Sequence, residues 1–420
     1  MEIFNTFGQE LELKWRDANY DEAVFPALAS DALRQSDLPS KVTAWEVLAW
    51  ALGETELPLQ RDLGAKFGDP PVTVFSGPRF HIDLYFWFEG TTAIHQHSFC
   101  GAFQVLLGSS IHSWYEFERR RSINMFTEIG DMNLKVCELL EVGAVQAINP
   151  GRAYIHSLFH LDHPSATIVI RTDRSPLNMP QFSYEKPFLA IDPFFEQPTT
   201  TKKLQVIGAL YRAKREDADS LVESWLAECD LQTSYHILSQ ARHHLGSNGL
   251  GKMFGVERDN TRFERLLDIV ERRHGDAGRA LRPVFERYDT LEEIVRRRNL
   301  VTDTEHRFFL ALLLNIESRA PILDIIKTRF PNSEPLNKIL DWTYDLANTR
   351  IAGDEKVTAL GIADFGDIDL YVFEQMLNGR SGDEIASAFL ADHGTPTAEH
   401  ALAQKESRIR EAIIFRPLFA

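Results

Sequence analysis

From Arg79 to Glu89 the chain alternates without a break. Phe80, Ile82, Leu84, Phe86 and Phe88 fall on one face; Arg79, His81, Asp83, Tyr85, Trp87 and Glu89 fall on the other. A period of two, with one face this apolar, predicts a β-strand laid against a core. Further short strands are expected at Phe103 to Gly108, Ile111 to Phe117, Leu134 to Leu140, Gly143 to the Pro150-Gly151 turn, and Ala166 to Arg171. Short strands separated by turns over this stretch argue for an antiparallel sandwich or barrel.

Between the first two strands lies Gly90-Thr-Thr-Ala-Ile-His95-Gln-His97. On an extended strand a two-residue spacing aims both imidazoles to one side of the sheet. Two imidazoles on one side are half of a metal site, and imidazole suits iron, zinc, copper or nickel better than magnesium or calcium. With 14 histidines in 420 residues, one His-x-His is no rarity, so its neighbours must decide. His156 and His160 follow the Pro150-Gly151 turn.

Taken in order, these residues resemble the cupin superfamily over residues 79 to 172. The family's first motif is a Gly, five residues, His-x-His, a Glu three or four residues on, and a closing Gly. Gly90, His95, His97 and Gly108 match it with one residue fewer before His95, and Gly101 stands at the Glu position. The second motif, a Gly, a Pro-x-Gly turn, a His and an Asn, corresponds to Gly143, Pro150, Gly151, His156 and His160, with altered turn spacing. The resemblance implies a jelly-roll barrel and a metal held by His95, His97 and His156, with His160 as the rival third ligand. A glutamate restored at Gly101 is expected to keep the metal and alter the reaction. The thiol dioxygenases, a cupin branch, also hold iron with three histidines and no Glu. Tyr115 and Glu116 follow Gly108 much as a tyrosine and an acidic residue do there, but the Ser-His-Tyr series of the animal enzymes is absent. Val169 and Arg171 stand near where it would fall.

Tyr154 lies two residues before His156, so on a strand it shares that side; it binds substrate, positions a ligand or fills the barrel. Arg171 offers a bidentate pair for an acidic substrate, or is an ordinary strand-edge arginine. His81 and His112 are candidates to line the barrel, His243-His244 reads as helix surface, and Cys100 reads as an inert buried thiol.

A net charge of −16 argues against nonspecific nucleic-acid binding and against anionic membrane surfaces. Arg272, Arg273, Arg296, Arg297 and Arg298 alternate with acids and read as a solvated helical face. Three cysteines form neither a disulfide framework nor a zinc pattern. With no apolar run of membrane-spanning length and no basic-then-apolar leader, the expectation is a cytoplasmic protein.

Residues 1 to about 60 are expected to be mostly helical, at Asp21 to Arg34 and Val42 to Leu52, padding one face of the barrel. Pro176, Pro180, Pro187, Pro193 and Pro198 read as an extended arm around the barrel leading to a linker. Beyond residue 200 the period becomes that of helices, expected at 290–299, 303–318, 321–329, 335–348, 367–378, 382–391 and 398–414. Thr302 to Glu305 and Ser381 to Glu384 are read as caps, and Gly246 to Gly251 as a helix end and linker.

The expected architecture is α+β: a cupin-like antiparallel jelly roll with N-terminal helices over 1–198, then an all-α domain over 199–420. The expected function is a cupin-type oxygenase, a dioxygenase with Fe(II) or another first-row transition metal, acting with O2 on a small molecule or peptide. The helical domain would close the pocket or recruit a protein partner. The alternatives are a non-catalytic cupin that senses a ligand, and a metal-dependent cupin isomerase or hydrolase.

Overall fold

In this computed structural model, the described residues are 1–64, 67–88, 93–195, 197–245, 260–288, 301, 303–351, 354–362, 364–394 and 399–420. Gly90, the helix expected at 290–299, the Gly246 to Gly251 segment and Arg296 to Arg298 lie outside them.

The chain divides into two compact units. The first comprises Met1–Arg119, Gly130–Tyr184 and Ala190–Pro193; the second comprises Arg120–Ile129, Glu185–Leu189 and Phe194–Ala420. The partition thus passes through the proline-rich run and through the tip of a long hairpin.

Unit one is an antiparallel jelly roll. One sheet has the strand order β1-β2-β9-β4-β7: β1 (Pro71–Ser76), β2 (Phe80–Trp87), β9 (Ser165–Thr172), β4 (Gly101–Leu107) and β7 (Val145–Ile148). The other runs β10-β11-β6-β5-β8-β3 and closes on itself: β10 (Ser183–Glu185), β11 (Leu189–Ile191), β6 (Thr127–Leu140), β5 (Ser110–Asn124), β8 (Gly151–His160) and β3 (Ile94–His97). The expected extended arm therefore supplies strands. Prolines confine β10 and β11 to three residues each, and β10 pairs with β3 through Ser183 and His95. Gly108, at φ +74, turns the chain from β4 into β5 in a conformation that favours glycine.

The alternation in β2 sets the two faces. Phe80, Ile82, Leu84 and Phe86 join Ala166, Ile168 and Ile170 of β9 in a core covered by four helices. These are α1 (Glu2–Asp17), α2 (Phe25–Ser36), α3 (Leu38–Lys41) and α4 (Ala44–Gly53). Trp15 and Phe25 lie 4.1 Å apart by ring centroid and both meet Phe80. α4 starts at a capping box, Thr43 with Glu46. Cys100 belongs to this outer core, where burial pushes its thiol up to about 11. It is an inert packing residue.

The other face of the sheet looks into the barrel. Tyr85, Phe99, Phe103, Val105 and Val169 pack there with Tyr154 and Leu158 of β8. The opposite side of β8 and β5, with Ile155, Tyr115 and Phe117, packs against Phe182, Tyr184 and Ala190.

Unit two is helical, with helices at Thr304–Asn315, Arg319–Arg329, Pro335–Asn348, Asp367–Leu377, Asp383–His393 and Glu399–Glu411, close to the expected ranges. It also holds a two-stranded hairpin, Arg350–Ile351 with Asp354–Thr358, that helical periodicity did not announce. Asp303 caps its helix by accepting from the backbone N–H groups of Glu305 and His306. Among the described residues no helix is long and apolar enough to cross a membrane.

Candidate metal centre

Strand pairing brings the three histidines together. β3 and β8 are antiparallel neighbours, and His95 lies directly opposite His156. The register slips before His97, which pairs with Gly151. One ring nitrogen from each of His95, His97 and His156 lies within 4.8 Å of the others. Among the described residues no other group of three or more His, Cys, Asp or Glu has this geometry.

Each ring's orientation has a visible cause. His95 Nδ1 is 2.7 Å from the carbonyl oxygen of Ala93, so Nδ1 carries the proton and Nε2 is left as a lone pair. His97 and His156 face each other Nε2 to Nε2 at 2.9 Å, and both Nδ1 atoms are buried without a partner. Only one of the two Nε2 atoms can carry a proton in that contact. The other ring must then hold its proton on an Nδ1 with no acceptor, a shortfall of about 1–3 kcal/mol. A cation would use both Nε2 lone pairs at once. Cis ligands about 2.1 Å from a metal stand about 3 Å apart, so the spacing fits.

The electrostatics agree. Burial holds His95 below the ordinary imidazole range, against the upward pull of its bond to Ala93. His97 and His156 lie well below it, through burial first and then through the neighbouring histidines, with Arg171 adding to the effect at His97. Neutral imidazoles are the form that ligates.

Behind the cluster runs a hydrogen-bonded chain. The Tyr154 hydroxyl is 3.0 Å from His112 Nε2, and His112 Nδ1 is 3.0 Å from Glu138 Oε1. Gln146 donates to the same carboxylate oxygen at 2.9 Å. The arrangement assigns the His112 proton to Nδ1, so that Nε2 accepts from the phenol. Glu138 is held below the usual carboxylate range chiefly by its bond to His112, and burial pushes the Tyr154 phenol up. The Tyr154 ring lies 4.4 Å from that of His156. Tyr154, expected beside His156, is thus joined to a partner pair that sequence spacing did not connect: His112 is one strand away and Glu138 two.

Other expectations meet different surroundings. His160 is not part of the cluster: it stacks on Trp87 at 4.6 Å and bonds Ser165 at 2.7 Å. Tyr115 lies in the separate apolar cluster on the far side of β8, and Glu116 is exposed and paired with Lys135. Neither stands at the histidines. Arg171 lies inside the barrel, its guanidinium 3.9 Å from the Phe99 ring, so it is no strand-edge surface arginine. The expectation for a glutamate at Gly101 fails outright. A Cβ there would stand 1.9 Å from the carbonyl oxygen of Ile170, so no side chain fits.

No protein-family model matches the chain. No curated protein matches it either. Solved structures align with part of it. A cupin-2 domain protein from Shewanella frigidimarina is 13% identical, over 32% of this chain and 96% of that one, with a TM-score of 0.19. A structure of the DMSP lyases RdDddP and RnDddQII is 15% identical, over 38% and 78%, with a TM-score of 0.23. Drosophila melanogaster CENP-C bound to CAL1 is 13% identical, over 33% and 99%, with a TM-score of 0.18. At these values function rests on the chemistry of the site itself.

Proposed function

We propose that this chain is a metal-dependent oxygenase in which His95, His97 and His156 hold one first-row transition metal, with iron(II) the favoured ion. The observation that carries the reading is the donor set: three neutral imidazoles, two buried and His95 half-buried, converging without a carboxylate. Three protein ligands leave coordination positions for substrate and O2, as a catalytic site requires. Bound there, iron(II) would supply the one-electron chemistry toward O2 that no side chain can supply.

The chain's own residues do the rest. His95, anchored by the Ala93 carbonyl, fixes the direction of its lone pair. The aromatic wall of Phe99, Phe103 and Tyr154 keeps bulk water from the cluster. Tyr154 presents a phenol whose proton is already engaged by His112, which Glu138 orients from behind. That chain can hold a proton at the phenolic oxygen or pass it toward the half-exposed carboxylate.

Elemental analysis of untagged protein tests the site: about one transition metal per chain is expected. O2 consumption across candidate substrates tests the chemistry, and turnover that consumes no O2 would replace oxygenase with isomerase or hydrolase. Tyr154→Phe should leave metal content unchanged and lower turnover about 100-fold, the lower part of the range for a positioned acid or base. Loss of metal in that variant would make Tyr154 a structural support instead.

The pH dependence has a definite sign. The three imidazoles are depressed in the folded chain and ordinary, near 6.5, in the unfolded one. Below that value the unfolded state binds more protons, so folded stability falls as pH falls, and metal affinity falls with it. Because the folded imidazoles titrate below the ordinary range, metal content after dialysis should stay full from pH 8 down through about pH 6.5 and fall only on further acidification. Metal that stays bound at every acid pH at which the chain remains folded would remove histidine from the site.

A further inference from the structure

The barrel carries a second polar pole, centred on Arg171 of β9. Among the described residues no carboxylate lies within ion-pair distance of its guanidinium, and its buried Nε has no hydrogen-bond partner. The charge of Arg171 acts on Asp83 of the neighbouring strand, and that carboxylate is already committed. Asp83 Oδ1 accepts from the Thr73 hydroxyl at 2.8 Å, and Oδ2 accepts from Tyr85 at 3.0 Å and faces His81 Nε2 at 3.2 Å. Asp83 and Tyr85 therefore build the wall beside Arg171: the phenol hydrogen-bonds the guanidinium and the Asp83 charge reaches it, but neither forms an ion pair with it. One face of the guanidinium is covered by Phe99, at 3.9 Å, and the Phe99 ring lies 4.4 Å from His97. A single aromatic ring thus separates the cation from the histidine cluster.

A guanidinium held on the inner face of a barrel without a direct ion pair carries a cost that an anionic ligand recovers. The metal pole adds to the demand, because three neutral ligands leave a divalent ion's charge uncompensated. The planar fork of one arginine matches a carboxylate in two parallel hydrogen bonds. A phosphate dianion would call for further unpaired cations.

We infer that the ligand of this site is a small carboxylate: its carboxyl group is gripped by Arg171 beside Phe99 and Tyr85, and its other end reaches the metal. The inference rests on the three-histidine reading above and adds the substrate class to it.

The test uses the full-length chain loaded with cobalt(II), whose visible spectrum reports ligand binding without turnover. The probes are the monohydroxamates of malonic, succinic and glutaric acid, each compared with its terminal amide. The hydroxamate seeks the metal, the free carboxylate seeks Arg171, and the three lengths cover the unknown reach. At one length the acid should bind about 10- to 100-fold tighter than its amide, the worth of a charge-assisted bidentate pair. Arg171→Met should bring the acid to the amide's affinity and leave the amide unchanged, and Arg171→Lys should keep only part of the preference. Cobalt uptake equal to the unaltered chain confirms that each variant is folded. If Arg171→Met takes up no cobalt, Arg171→Lys decides: a full preference retained there overturns the bidentate grip. Equal affinities at every length, a preference that survives Arg171→Met, or bound cobalt that no probe perturbs would each overturn the carboxylate inference alone. Failure of the unaltered chain to take up cobalt would overturn the metal centre, and the inference with it.

Discussion

Alanine at His95, His97 or His156 is expected to lower metal affinity by more than about 100-fold while leaving the barrel folded. Disturbing a group behind a ligand already costs 10–100-fold, so deleting the ligand itself must cost more. The fold should survive because the rings only edge the inner aromatic cluster, His97 against Phe99 and His156 against Tyr154, while the outer core under the helices is untouched. At His97 and His156 the substitution also removes one side of a contact that leaves a buried N–H unserved. The decisive measurement is the metal-dependent rise in thermal stability. The unaltered chain should gain about 4 kcal/mol when free metal exceeds its Kd a thousandfold, and each alanine variant should gain almost nothing. His160→Ala is the control: it loses the stack on Trp87 and the bond to Ser165, so it should lose some stability and keep its metal. Should His160→Ala empty the site and His156→Ala leave it filled, the second motif has been placed four residues out of register.

What the sequence could announce was local, and what it could not was carried between strands. The β2 alternation, the His95–His97 spacing and the helical stripes after residue 200 are all written within a dozen residues. Periodicity reads such patterns directly. The strand β8 escaped because Gly151 to His160 has polar and apolar residues on both faces: Ile155 and Phe159 on one side, Tyr154 and Leu158 on the other. A strand buried on both sides shows no alternation. His112 and Glu138 were invisible as partners of Tyr154 for a different reason. They lie 42 and 16 positions away along the chain, and pairing of β5 with β8 brings His112 within reach. No spacing rule encodes that register. The prolines of 176–198 argued for an arm, yet three-residue strands fit between them, and one of these backs onto the strand that carries His95. Tyr115 and Glu116 mimicked a family pattern by position alone. Tyr115 stands three positions after His112, an odd offset, and alternation sends it to the other side of the sheet.

Gly101→Glu shows most sharply how the fold constrains the site. In the cupin pattern this position bears a carboxylate, and a donor-set argument alone would place a fourth ligand there. The backbone forbids it. Gly101 pairs with Arg171 across β4 and β9 and with Ile148 across β4 and β7, so it is hemmed in on both edges. Any Cβ meets the Ile170 carbonyl oxygen at 1.9 Å, the Ile170 carbonyl carbon at 2.9 Å and the Arg171 Cα at 3.0 Å. These are backbone atoms, which cannot rotate away. Gly101→Glu is therefore expected to destabilise the first unit by more than about 4 kcal/mol, beyond the usual range for a single substitution, and to displace β9 with Arg171. Gly101→Ala should do nearly the same, because the clash belongs to the Cβ and not to the charge. Thermal melts of the two variants, compared with the unaltered chain, separate the causes. Similar large losses confirm close approach. A stable alanine variant beside an unstable glutamate variant would assign the loss to burying a charge. A glutamate variant that folds normally and binds metal more tightly would falsify the close packing of β4 against β9, and would restore the fourth ligand to the site.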